Sequence, residues 1–142
     1  MRIVIINGPN LNLTGLREPE VYGTVTFEAF LGGLRQQFPE HELAYFQSNH
    51  EGALIDALHQ EGFSADGIIL NAGAFSHTSH ALADAIAAIR TPVVEVHMSN
   101  TAAREPFRHQ SVLTRACRGI IAGFGLESYS LALLQFLGGQ RG

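Results

Sequence analysis

The feature that most constrains the fold is an alternation. Five short apolar runs, Arg2–Asn7 (RIVIIN), Leu43–Gln47, Gly67–Asn71 (GIILN), Val93–His97 (VVEVH) and Gly119–Phe124, are separated by stretches whose apolar residues recur at helical spacing. An unbroken apolar, β-branched run suits a strand buried on both faces, and strands alternating with helices specify a parallel α/β sheet. Phe27, Phe30, Leu31, Leu34 and Phe38 predict a helix that Pro39 stops. Ser48 and Glu51 have capping-box spacing ahead of Leu54, Ile55 and Leu58, with Gly62 at the end. Leu82, Ile86 and Ile89 predict a helix before Pro92, and another spans about Leu126 to Leu137. With no linker or repeat, residues 1–142 read as one domain. At this size the best match is a flavodoxin-like three-layer sandwich, a five-stranded sheet of order 2-1-3-4-5 with helices on both faces.

Such sheets bind ligands beyond the carboxyl ends of their strands, and the polar residues gather there. Strand one ends in Asn7-Gly-Pro-Asn10, strand two in Ser48-Asn49-His50, strand three in Asn71 and the loop bearing His77, and strand four in Ser99-Asn100. Glu95 and His97 lie inside an apolar strand, and burying that pair needs a reason. Two residues apart on a strand, they share a face, where a carboxylate fixes the imidazole tautomer and raises its basicity. The pair reads as a general acid or base, or as a structural ion pair.

Composition removes whole classes. All nine basic residues are arginine, so Schiff-base, pyridoxal-phosphate and P-loop chemistry are excluded. A net charge of −4 without basic runs argues against nucleic acid. Charged residues make up 15% of the chain against roughly 25% typically, which suggests surface covered by other subunits, the alternative being a surface of Ser, Thr, Asn, Gln, His and Gly. One cysteine, Cys117, suits the reducing cytoplasm and a packed thiol, and no apolar run approaches the length of a membrane span. His77 and His80 stand three apart, but no HExxH motif or cysteine set accompanies them, and no metal is expected.

The loop from Asn10 to Gly23 has the length of a lid and carries Arg17, Glu18, Glu20 and Tyr22. A guanidinium beside a phenol favours the phenolate, while an ordinary solvated loop is the plainer reading. In residues 71–79, NAGAFSHTS, two small residues let a ligand approach the backbone, and Thr78 or Ser79 can cap the next helix. His41, His59 and His109 read as surface residues and His50 stays open. Arg108 is the expected loop cation for an anionic substrate. A flavodoxin-like flavin or nucleotide module is the alternative, although Asn7-Gly-Pro-Asn-Leu-Asn is a poor phosphate cradle and GxGxxG is missing.

Four segments in order, NGPNLNLTGLREPEVYG at 7–23, NAGAFSHTS at 71–79, EVHMSNTAARE at 95–105 and FRHQS at 107–111, resemble the type II 3-dehydroquinate dehydratases, and the resemblance covers essentially the whole chain. It implies dehydration of 3-dehydroquinate to 3-dehydroshikimate through an enolate, with no cofactor, metal or imine. It implies Tyr22 as base, Arg17 holding it as phenolate, Asn10 with the Pro9 backbone positioning a water, and His97 as acid oriented by Glu95. Asn71, His77, Ser99 with the Met98 backbone, and Arg108 would bind the substrate, and Asp84 would reach into a neighbouring subunit's site. A dodecamer made of trimers is implied. Ala72 stands where the family usually has proline, and Ala83 where arginine often precedes the aspartate.

Overall fold

The computed structural model describes residues 1–17 and 19–138, with Val21 and Tyr22 described by their backbone. The strands are β1 (Arg2–Asn7), β2 (Glu42–Gln47), β3 (Gly67–Asn71), β4 (Val93–His97) and β5 (Gly119–Ala122). They form one parallel sheet in the order β2-β1-β3-β4-β5, the flavodoxin-like order expected.

The pleat of β1 shows how the apolar runs divide their load. Ile3 and Ile5 pack against α2 (Phe27–Gln37) and α5 (Glu127–Gly138), through Phe27, Leu31, Tyr129 and Leu133. Val4 and Ile6 face the other way, onto α3 (Glu51–Glu61) and α4 (His80–Ala88), through Leu54, Leu58, Leu82 and Ile86. A strand covered on both faces has no solvated side, so period-two polarity disappears from its sequence. In β4, Val94 and Val96 join the first core and Val93 the second, so Glu95 and His97 fall on the Val93 side.

Thr26 caps α2, its hydroxyl accepting from the Ala29 amide. Ser79 caps α4 in the same way through Leu82. The capping box expected at Ser48 and Glu51 does not form. His50 occupies the cap of α3 without a side-chain bond, Ser48 accepts from the His50 amide, and the Glu51 carboxylate takes the Ser79 hydroxyl instead. A helix 28 residues away competes for the carboxylate and wins. Strand β5 is two residues shorter than expected, because Gly123, at φ 103°, turns the chain toward α5.

The long loop after β1 is not featureless. It contains a 3-10 turn at Leu11–Leu13 and the single-turn helix α1 (Pro19–Tyr22). Its base closes at Gly15, whose φ is +90° and where a Cβ would sit 2.8 Å from the Thr24 and Val25 backbone. Gly8 admits a second close approach, since a Cβ there would lie 2.7 Å from Ala72 backbone atoms. Among the described residues, no helix is long and apolar enough to cross a membrane.

Candidate active site

A cleft opens at the carboxyl ends of β1, β3 and β4, where the topology rule places a ligand. Pro9, Asn10, Arg17, Asn71, His77, His97, Met98, Ser99 and Arg108 all line it. Residues spread over a hundred positions thus meet because three parallel strands end at one rim.

At its floor lies the Glu95–His97 pair. Glu95 is fully buried and His97 is 6% exposed. His97 Nε2 donates to Glu95 Oε2 at 2.5 Å, which leaves Nδ1 as the ring nitrogen not held by Glu95. The Thr114 hydroxyl donates to the other carboxylate oxygen, Oε1, also at 2.5 Å. Burial pushes the Glu95 carboxyl up, yet hydrogen bonds from His97, Thr114 and Ser111 outweigh it and hold the group below its usual range. A buried carboxylate with both oxygens satisfied is a charge the fold has been built to keep.

The walls are polar and partly basic. His77 donates from Nδ1 to the Gln110 carbonyl at 2.7 Å, and its ring lies 6.0 Å from that of His97, nearly parallel. The Val112 amide donates to the Ser76 carbonyl at 2.8 Å, so the loop after β3 and the segment after β4 are stitched together. Arg108 donates to Glu105 at 3.1 Å and stacks 4.7 Å over the Phe107 ring. Its hydrogen bond is the main reason the Glu105 carboxyl is held low. Arg104 Nη1 donates to Ser99 Oγ at 3.3 Å. The Met98 carbonyl accepts from the Gly125 amide, which ties this rim to the start of α5.

Asn10 has φ 70°, the only positive value outside glycine among the described residues. Asparagine tolerates the left-handed region, and its amide donates to Asn49 Oδ1 at 3.0 Å. Arg17 is exposed at the mouth. Tyr22 ends α1, with the Gly23 amide bonding back to the Pro19 carbonyl; its side chain, and Glu18, lie outside the described residues.

Asn71 has partners besides the cleft it lines. The Asn71 amide is drawn downward, Nδ2 donating to the Tyr129 hydroxyl at 2.8 Å and Oδ1 accepting from the Gly73 amide at 3.1 Å. Tyr129 in turn donates to Asn7 Oδ1 at 2.8 Å. Asn71 therefore shapes the rim and has one N–H left to offer. Asp84 lies on the exposed side of α4, outside the cleft of its own chain. Ala72, the departure from proline, is fully buried against Gly8.

Comparison with known proteins agrees with this geometry. The sequence model described as dehydroquinase class II matches residues 1–137. The chain belongs to the class II dehydroquinases. A 3-dehydroquinate dehydratase of an Exiguobacterium species is 59% identical, covering 94% of this chain and 92% of its own. That of Bacillus licheniformis is 57% identical, over 95% and 94%. The crystal structure of the type II dehydroquinase from Butyrivibrio crossotus superposes with a TM-score of 0.91 at 41% identity, covering 96% and 97% of the two chains. Family membership does not favour the flavin-module alternative.

Three residues in or behind the cleft escape the sequence reading even with the family in view. Arg104 lies inside the segment 95–105, where its charge was the available signal. Thr114 and Tyr129 carry no local signal, because their partners are 19 and 58 or more residues away. Among the described residues, no group of three or more His, Cys, Asp or Glu side chains gathers as a metal cluster.

Proposed function

We propose that the chain is a hydro-lyase that converts 3-dehydroquinate to 3-dehydroshikimate and water, as one domain over residues 1–142. The observation that carries this reading is the buried Glu95–His97 pair on the floor of a cleft walled by arginines, in a chain of this family. Tyr22 removes a proton from the carbon next to the ketone, and the electron pair moves onto the carbonyl oxygen as an enolate. Arg17, from the same loop, favours the phenolate by its charge. Asn10 and the Pro9 backbone hold the water that stabilises the enolate oxygen. As the enolate collapses, the carbon–oxygen bond to the β-hydroxyl breaks, and His97 gives that hydroxyl its proton, so it leaves as water. Glu95 keeps the imidazole in one orientation.

Arg108 and Ser99, with the Met98 backbone, hold the carboxylate and hydroxyls, helped by His77 and the remaining N–H of Asn71. With no lysine in the chain, an imine route is closed and the enolate must be stabilised by these groups.

The assembly is a dodecamer of trimers in which Asp84 reaches a neighbouring site. Its exposure on α4 supports this, as do the exposed Ile120, Phe124, Leu131 and Leu134 along β5 and α5. The enzyme works in the cytoplasm, in aromatic biosynthesis or quinate breakdown. The test is ultraviolet detection of the conjugated product from 3-dehydroquinate. Tyr22→Phe should abolish turnover with binding retained, and a near-normal rate in that variant would sink the assignment of the base.

A further inference from the structure

The acid of this reaction has a support that neither the family resemblance nor the sequence names. Thr114 sits in a 3-10 turn (Thr114–Ala116) after the cleft-forming segment, 19 residues from Glu95. It is half-buried, its hydroxyl lies 2.5 Å from Glu95 Oε1, and it does not line the cleft. Glu95 Oε2 is taken by His97, so the fully buried carboxylate has one oxygen for the catalytic imidazole and one for Thr114. The turn is itself anchored: the Ala116 amide bonds to the Leu113 carbonyl, and Leu113 is fully buried in the core on this face of the sheet.

We infer that Thr114 is a positioning residue for the reaction: its hydroxyl locks the Glu95 carboxylate in the ionised state and rotamer that aim His97 at the substrate. The inference rests on the proposed role of His97 as acid. Three facts carry it. A hydroxyl donating to a carboxylate stabilises the charged form and not the neutral one. Glu95 has no solvent to replace a lost donor. A carboxyl group whose second oxygen is free can rotate about its last side-chain bond, which is broad and soft, so His97 loses a fixed partner. The other groups facing Glu95 are His97 on β4 itself, with His77 stacked beyond it, Ser111 on the segment before the turn, and Cys117 just after it. Ser111 adds a weaker hydrogen bond to the same carboxylate, whereas the 2.5 Å bond to Oε1 is that of Thr114.

The experiment measures the pH profile of kcat on the full chain for Thr114→Val, Thr114→Ala and Thr114→Ser, each also combined with Glu95→Gln. Removing the donor raises the pH at which Glu95 takes up a proton. Thr114→Val should therefore lower kcat about tenfold near neutrality and move the acid limb up by about one pH unit, with KM little changed. Thr114→Ser, which keeps the hydroxyl, should restore the rate and the limb. In the Glu95→Gln background, loss of the hydroxyl should cost little more, because both substitutions break one chain of bonds. Should the valine methyl, set against the Glu95 carboxylate, prevent folding, Thr114→Ala removes the hydroxyl without placing a methyl there and carries the same prediction. A slowed variant whose acid limb stays in place, or losses that add in the double variant, would show a merely structural threonine and overturn the inference. His97→Asn separates this from the underlying mechanism: if that variant keeps its rate, the assignment of the acid has failed, whatever Thr114 does.

Discussion

Removing one oxygen atom, by Tyr129→Phe, tests how the cleft is held from beneath. Tyr129 is fully buried on α5, and its hydroxyl accepts from Asn71 Nδ2 and donates to Asn7 Oδ1, each at 2.8 Å. Asn7 is fully buried and Asn71 is 4% exposed, so neither amide can turn to bulk water. Phenylalanine fits the same space, flanked by Phe27 and Phe30 at ring-centroid distances of 4.9 and 6.2 Å, so packing is preserved and the loss is that of the hydrogen bonds. Each orphaned buried group costs about 1–3 kcal/mol, partly offset because the hydroxyl no longer has to be buried. The net expectation is about 2–4 kcal/mol. For a domain of this length that lowers Tm by roughly 6–12 °C. Urea and thermal unfolding should be compared at fixed chain concentration, since an oligomer's stability depends on it. Asn71 should also lose its tether, so KM should rise. A variant within about 0.5 kcal/mol of the parent, with unchanged KM, would refute the claim that Tyr129 ties β1 to β3 beneath the substrate.

Gly15→Ala places a Cβ against the Thr24 and Val25 backbone at a φ of +90°, so the loop base must open. Steady-state kinetics should show lower kcat and higher KM with the sheet's hydrogen exchange unaltered, and normal kinetics would contradict a lid closed at Gly15. Cys117 is pushed up to about 12, first by burial and then by the charge of Glu95. Iodoacetamide at pH 8 should therefore label it only on unfolding, and rapid labelling of the native enzyme would disprove the packed thiol. Because Glu95 is held low, its contribution to stability is complete above the usual carboxylate range and is lost as pH falls through and below it. Unfolding followed between about pH 6 and pH 3 should show Glu95→Gln losing less stability on acidification than the parent, and identical slopes would count against the shift.

Much of this protein could be read one residue after another. Strands buried on both faces announce themselves as unbroken apolar runs, and β1, β3 and β4 stand where those runs stand. The shared face of Glu95 and His97 follows from the two-residue repeat of a strand alone. The cap at Ser79 depends on bonds within one turn, so it too was readable.

Only the tertiary structure decided where long-range partners compete. Glu51 forsakes its own helix cap for Ser79, because packing α3 beside α4 brings a hydroxyl to it. Asn71 belongs as much to Tyr129 on the last helix as to the cleft, and Glu95 owes one oxygen to Thr114. Local patterns report a chain's own repeat, and that repeat sets strands, helices and which side chains share a face. A buried amide or carboxylate must instead find whatever donor the closed fold delivers, and that is settled only when the sheet and its two helical layers come together.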